Sequence, residues 1–588
     1  MALRRSLAVV LGLIVAAVFV SVSGMAVLYA LVARGPDIQD DSTLVLRPGG
    51  EMPESAPGDV IGELVGRDDV TVRGLVESLR LAKHDPRITG VLIKPIPFES
   101  PYWAKIQELR DAVLDFRKSG KIAVAFLEDG GDREYYVASA ADRVFLLPTS
   151  ALDLTGVASY EVFLRGTLDK VGAYPDFLQI GPYKTAVNQL TEKSFTPQHR
   201  EMTEALNADM YAQLVRGIAS ARGKTEAEVR TLLDTGPFAA EDALRAGLVD
   251  ALAYEDQLDE QVPQLRQGGD MRRVEGADYR RVTPRSLGIQ PRSRIALVYA
   301  SGVIASGKSG YDPGNGAVIG SETLVSQLRR VRDDATIKAI VLRVDSPGGS
   351  SVASDVIWRE LQVTRDEKPS RPLITSMSDL AASGGYYIAA PSQVIVAQPG
   401  TLTGSIGIFA GKFVVSGTLD KIGVTTETVT SGRNADLYSP FSRFSPEQRV
   451  KVGQYMDGFY RSFVTKVAEG RHLTPDRVNA IGQGRVWTGA QAKERGLVDM
   501  LGGLDTAVAV AKERAHIPAD EEVDLVVFAP RSSVFEALTA LSRSSSLLGG
   551  WDALARSADR QAVASLLAPM TLFRRGEPLA LMPFAFVR

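Results

Sequence analysis

The stretch "LVESLRLAKHDPRITGVLIK" at residues 75–94 returns as "LVSQLRRVRDDATIKAIVLR" at residues 324–343. Working outward, "YYVASAADRVFLLPTSALDLTG" from Tyr135 resembles "YYIAAPSQVIVAQPGTLTGSIG" from Tyr386, and "GTLDKVG" from Gly166 matches "GTLDKIG" from Gly417. Both halves close on "GLVD", at Gly247 and Gly496. The offset is 249 residues at both ends and 251 in the middle, as a two-residue insertion and its later loss would leave it. The chain is a domain written twice.

The second copy shows what that domain is. "IKAIVLRVDS" reads as a β-branched strand, "SVASDVIWRELQVTRD" as an amphipathic helix, "RPLITSMS" as a strand, "GGYYIAAP" as a short helix and "QVIVAQP" as another strand. Strands alternating with helices require crossovers, hence an α/β fold with a largely parallel sheet in each copy. The expected organisation is a membrane anchor at 1–35, a first repeat at 42–264, an arginine- and glycine-rich linker at 265–292, a second repeat at 293–525 and a tail at 526–588. Within the tail, "VFEALTALSRSSSLLGGWDALARSADRQAVASLL" carries apolar residues at helical spacing, a pattern that favours packing on a partner surface.

Composition narrows the chemistry. The 588 residues carry a net charge of −3 and are 45% hydrophobic, ordinary globular usage with no sign of a nucleic-acid binder. There is no cysteine, which removes disulfides, thiolate metal sites and cysteine nucleophiles. The four histidines, at positions 84, 199, 472 and 516, form no HExxH-type spacing, and no metal or other cofactor is expected. The N-terminus departs from this pattern: after Arg4 and Arg5, residues 6–33 carry no charge, longer than the roughly 20 residues that cross a bilayer as a helix. The run is also about twice as long as the apolar core of a cleaved secretion signal, so an uncleaved anchor is expected. The two arginines favour a cytoplasmic N-terminus, with the bulk of the chain on the other side.

The copies differ where chemistry would sit. At the offset of 251, Ser383 faces Asp132, and Gly384 and Gly385 face Arg133 and Glu134. Upstream, "DSPGGS" from Asp345 faces "IPFESP" from Ile96, so that Gly348 and Gly349 meet Glu99 and Ser100. The second copy alone keeps the glycines, which let backbone N–H groups approach a ligand closely, beside a helix start with unpaired donors of its own. Such donors suit a developing oxyanion. Each motif alone could be a tight turn or a simple N-cap; together, in one copy and absent from the other, they point to catalysis.

"DSPGG", "AASGGYYIA" and "TGSIG" in this order, with "GPYKTA" in the first copy, resemble the signal peptide peptidase A family of membrane-bound serine proteases, in its double-length form. The resemblance covers about residues 1–525. It implies a fold similar to the crotonase and caseinolytic protease superfamily, and a serine–lysine dyad with the lysine in the first copy and the serine in the second. Spacing agrees with that division. Lys184 lies 52 residues after Asp132, and the position 52 residues after Ser383 is Ala435. Each copy fills one of the two positions, and a lysine placed at Ala435 is expected to restore part of the dyad within the second copy.

Ser383 is then the nucleophile and Lys184 its general base. An amine with an ordinary pKa near 10.4 is protonated at neutral pH, so apolar burial must depress it. The N–H groups of Gly349 and Gly384 are the candidate oxyanion hole, and the resemblance makes Ser405 the support of the lysine. It further implies cleaved signal peptides and other apolar peptides as substrates, a bacterial inner membrane with the catalytic domains facing the periplasm, and a homo-oligomer, a tetramer in the family. A catalytically silent scaffold or acyl-binding protein on the same framework is the alternative, and labelling of an activated Ser383 by a fluorophosphonate separates the two.

Overall fold

The strand Ile337–Ser346 anchors the second copy because its apolar run can be buried on both faces between helices. In the computed structural model, which describes residues 38–54, 70–265, 271–312, 316–528, 577–582 and 586–587, it pairs in parallel with Ser293–Ser301 and Leu373–Ala382. The expected anchor run at 6–33 and the helical-spacing tail stretch at 534–567 lie outside the described residues. Among the described residues, no helix is long and apolar enough to cross a membrane.

The duplication is visible strand by strand. The first sheet runs Ala251–Leu252, Arg143–Leu146, Ile122–Leu127, Ile88–Ile93, Ser42–Leu46, Arg272–Glu275. In the second copy, Met500–Leu501, Val394–Ala397, Leu373–Ala382, Ile337–Ser346, Ser293–Ser301 and Val523–Val527 are connected in the same order. The long helices correspond as well: Pro197–Arg222 and Pro446–Arg471 each start on proline, behind the capping hydroxyls of Thr196 and Ser445. The stretch 265–292, expected as a linker, holds a strand: Arg272–Glu275 pairs in parallel with Ser42–Leu46 and is the counterpart of Val523–Val527. Its alternation is hidden because charged Arg272, Arg273 and Glu275 surround the single apolar Val274 on an edge strand.

The copies are joined by a buried ion network. Arg343, 1% exposed in the central strand of the second copy, pairs with Glu54 at 2.7 Å and with Glu108 of the first copy's helix Ala104–Arg117 at 2.7 Å. On the same helix, Lys105 Nζ lies 2.8 Å from Asp345, and its backbone N–H donates to Asp379. Burial pushes the Asp379 carboxyl up to about 6 even with Lys105 beside it. Breaking such a pair leaves an uncompensated buried charge, at a cost of about 3–5 kcal/mol.

A second seam crosses the copies through a separate seven-stranded sheet. Its order is Gly310–Asp312, Gly316–Gly320, Val303–Ala305, Gly348–Ser350, Leu579–Leu581, Ile408–Val414, Tyr174–Ile180. Tyr174–Ile180 of the first copy pairs antiparallel with Ile408–Val414 of the second along seven residues. That pairing carries the chain that follows Ile180 into the second copy.

Candidate active site

Ser383 stands at the junction of the strand Leu373–Ala382 and the short helix Gly384–Ala389. The strand runs four residues beyond the "RPLITSMS" read from sequence, so no loop separates the serine from the sheet. Its backbone has φ 54° and ψ −112°, a conformation that costs a non-glycine residue on the order of 1–3 kcal/mol. Neighbouring groups hold it there: Ser383 N–H donates to the Gly404 carbonyl at 2.8 Å, and Tyr387 N–H donates to the Ser383 carbonyl at 2.8 Å.

The two glycine motifs meet beside it. Gly349, at φ 154°, lies in the short strand Gly348–Ser350. A Cβ added to Gly384 would stand 3.1 Å from the Gly349 nitrogen and 2.6 Å from Ser354 Oγ. A Cβ on Gly348 would stand 2.6 Å from the Gly384 nitrogen. Only glycine allows these two backbone segments to approach so closely, and the approach brings the two N–H groups expected of an oxyanion hole side by side.

Lys184 arrives from the first copy, four residues after the cross-repeat strand ends. Its side chain is fully buried, as are Ser383 and Ser405. Nζ is 2.7 Å from Ser383 Oγ, 3.0 Å from Ser405 Oγ and 3.1 Å from the Ser405 carbonyl oxygen. Burial pushes the amine well below its ordinary pKa. A neutral amine has two N–H donors and one lone pair, and this environment matches them: two oxygens of Ser405 take the hydrogens while the lone pair faces the Ser383 hydroxyl. The structure thus brings Ser383, Lys184 and Ser405 into one hydrogen-bonded group, with Gly349 and Gly384 adjacent.

Two features were not read from sequence. The loop 482–485 of the second copy interlocks with "GPYK" at 181–184: Tyr183 N–H donates to the Gln483 carbonyl at 3.1 Å, and Gly484, at φ 80°, has no room for a Cβ, which would fall 2.5 Å from Lys184 Cα. The same loop fixes the lysine's support, since Ser405 N–H donates to the Arg485 carbonyl and Gly484 N–H to the Ile406 carbonyl. The signal was present in the glycines of "GQGR", but its meaning depends on a distant partner. Ala435, expected as a place for a second lysine, sits on an exposed turn. Equal spacing preserved the register between the copies but not the surroundings, because the counterpart of Tyr174–Ile180, residues 425–431, forms no strand.

Comparisons with known proteins agree with a duplicated peptidase. The family model of peptidase family S49 matches the chain twice, over residues 115–267 and 365–518. The chain is 34% identical over 507 residues to a chloroplastic serine protease, SPPA, of Arabidopsis thaliana, covering 85% of this chain and 74% of that one. It is 36% identical over 455 residues to Protease 4 of Salmonella typhi, covering 75% and 72% of the two chains. A third relative, from Enterococcus faecium, carries the name of a signal peptide peptidase, SppA, and is 36% identical over 196 residues, 33% of this chain and 56% of that one.

Proposed function

The chain belongs to peptidase family S49 and is a serine-type peptidase, and on that premise we propose that it is an endopeptidase whose nucleophile, Ser383, and general base, Lys184, come from different copies of the duplicated domain. The observation that carries this reading is the 2.7 Å contact between Lys184 Nζ and Ser383 Oγ, with burial pushing the amine well below its ordinary pKa. Neutral Lys184 takes the hydroxyl proton as Ser383 Oγ attacks the peptide carbonyl. The tetrahedral oxyanion is received by the N–H groups of Gly349 and Gly384. On collapse, the Lys184 ammonium returns its proton to the leaving amine, leaving an ester on Ser383. Lys184 then deprotonates a water, which hydrolyses that ester. Ser405 keeps the amine aimed at the hydroxyl throughout.

The proposed substrates are cleaved signal peptides and other apolar peptides. The names of relatives support this class, as do the apolar residues Met202, Leu402 and Val486 that line a pocket in the described part of the chain. The proposed setting is an inner membrane, with residues 6–33 as anchor, the repeats on the periplasmic side and several copies assembled together. The test is incubation of the purified protein with a panel of signal peptides and cleavage-site mapping by mass spectrometry. Cuts within the apolar segments, absent with Ser383→Ala, are expected; cuts unaffected by that substitution would refute the dyad.

A further inference from the structure

The strand Leu579–Leu581 is the last but one element of the described chain, and it lies in the middle of the site rather than at the molecule's edge. It is inserted between Gly348–Ser350, which carries the proposed oxyanion glycine, and Ile408–Val414, which leads the cross-repeat seam. Against the glycine strand it runs antiparallel, with Gly348 opposite Leu581, Gly349 opposite Ala580 and Ser350 opposite Leu579. Two hydrogen bonds flank the centre of this ladder: Ser351 N–H donates to the Pro578 carbonyl at 3.3 Å, and Met582 N–H donates to the Pro347 carbonyl at 2.8 Å. Hydrogen-bonded and open pairs alternate along an antiparallel ladder, so the pair two residues from each, Gly349 with Ala580, is again a hydrogen-bonded one. The N–H of Gly349 therefore faces the Ala580 carbonyl. The point a Cβ on Gly348 would occupy lies 2.0 Å from that oxygen and 2.6 Å from the Gly384 nitrogen, so the carbonyl stands in the neighbourhood of the second donor.

Side chains seat the segment on both faces. Leu579 and Leu581 are buried in an apolar cluster with Val187, Val303 and Phe409. On the opposite face, Met582 lines the pocket with Met202, Leu402 and Val486. Glu577 is hydrogen-bonded to Ser350.

We propose that residues 577–582 are a built-in occupant of the catalytic groove, seated as an extended peptide would be with Ala580 presenting its carbonyl to the glycine donors, and that this strand competes with peptide substrates for the site. Strand addition to an exposed sheet edge is a common way to bind extended peptides, and the same edge cannot pair with two strands at once. The inference rests on the reading of Ser383 and the glycines given above. Its consequence is a lower fraction of groove open to substrate, and apparent affinity falls by that fraction.

The test compares the full chain with one ending at residue 576, using a soluble peptide substrate. Removal of the segment is expected to lower KM at least about fivefold with kcat within about twofold. Because the shortened chain could fold poorly, Leu581→Asp in the full chain serves as the second variant. It sets a charge against Val187, Val303 and Phe409 only when the strand is seated, and is expected to lower KM likewise. A synthetic hexapeptide with the sequence of residues 577–582, added to the shortened chain, should inhibit competitively. Unchanged KM in both variants and no inhibition by the hexapeptide would overturn the proposal, as would loss of activity in both variants, which would make the strand structural. Fluorophosphonate labelling of Ser383 is run alongside. Its absence in every form would refute the dyad reading itself, whereas its presence with unchanged KM refutes only the occupant.

Discussion

Asp132 and Ser383 occupy the same place in two copies of one domain, each opening the short helix that follows the third strand of its sheet. Ser383 is fully buried at φ 54°, with Lys184 against its hydroxyl and glycines on its far side. Asp132 is not among the described residues of positive φ, and its carboxylate accepts the N–H of Gly156 at 3.0 Å and of Thr155 at 3.3 Å. Nearby, Glu134, where the other copy has Gly385, accepts the N–H groups of Phe98 and Gly131. In the first copy, carboxylates satisfy the backbone donors; in the second, the glycines turn those donors toward a carbonyl oxygen, which for Gly349 is that of Ala580 in this structure. The difference shows that one fold position holds a carboxylate bonded to the loop at 155–156 or the serine proposed as nucleophile according to a handful of neighbours, and that the strained backbone belongs to the copy proposed to do the chemistry.

The largest expected effect removes the dyad. Ser383→Ala and Lys184→Ala should each reduce kcat/KM by about 10⁴-fold or more, and the double variant should be scarcely worse than either, since groups acting as one unit give non-additive losses. Adding Ala435→Lys to Lys184→Ala should restore nothing, because that position faces solvent on a turn. Steady-state kinetics on a peptide ester, with circular dichroism to confirm folding, decides both points. Independent, multiplying losses would break the comparison between the copies.

Next in size is the oxyanion pair. Gly384→Ala places a methyl group against Ser354 Oγ and the Gly349 nitrogen, and kcat should fall by about 10²-fold or more, the loss that follows removal of one such donor. The same change at Gly131, before the capped helix of the first copy, should leave kcat within about twofold, since its Cβ would meet nothing nearer than 3.3 Å.

How much of this was legible in the sequence follows from the range over which each signal acts. The alternation of strands and helices is a local pattern repeated at a fixed offset and could be read from either copy against the other, whereas the motifs around Ser383 and Gly349 stood out because the first copy lacks them. Lys184 became legible only because the repeat register and the family resemblance named its position. The strand Arg272–Glu275 escaped because three of its four residues are charged, so its membership of a sheet is set by Ser42–Leu46 and not by its own composition. Gly484 escaped for a similar reason, as its need for glycine arises from Lys184 packed against it. The seating of Leu579–Leu581 depends on two strands far away in the chain, and three apolar residues near a terminus carry no such information.

The smallest effect tests the silent copy. Burial pushes the Asp132 carboxyl up to about 6, with the N–H groups of Gly156 and Thr155 only partly opposing it. Between the ordinary value near 3.9 and about 6 the folded chain holds more protons than the unfolded one, so this group's contribution to stability declines as pH rises across that window. Asp132→Asn keeps an oxygen for both donors and removes the charge. Stability at pH 7 should rise by about 1–2 kcal/mol, with little change at pH 3.5, in urea unfolding curves. Activity should be unaltered.

The central claim, that a lysine of one copy activates a serine of the other, is tested most directly by the rate at which a fluorophosphonate labels Ser383 as a function of pH. Burial lowers the Lys184 pKa, and only the neutral amine can accept the hydroxyl proton. The labelling rate should therefore rise with pH and reach a plateau well below pH 10.4, with mass spectrometry placing the adduct on Ser383 alone, and Lys184→Met should abolish the reaction at every pH on that plateau. Labelling of the Lys184→Met protein at the unsubstituted rate, or a rate that climbs only around pH 10.4, would contradict it.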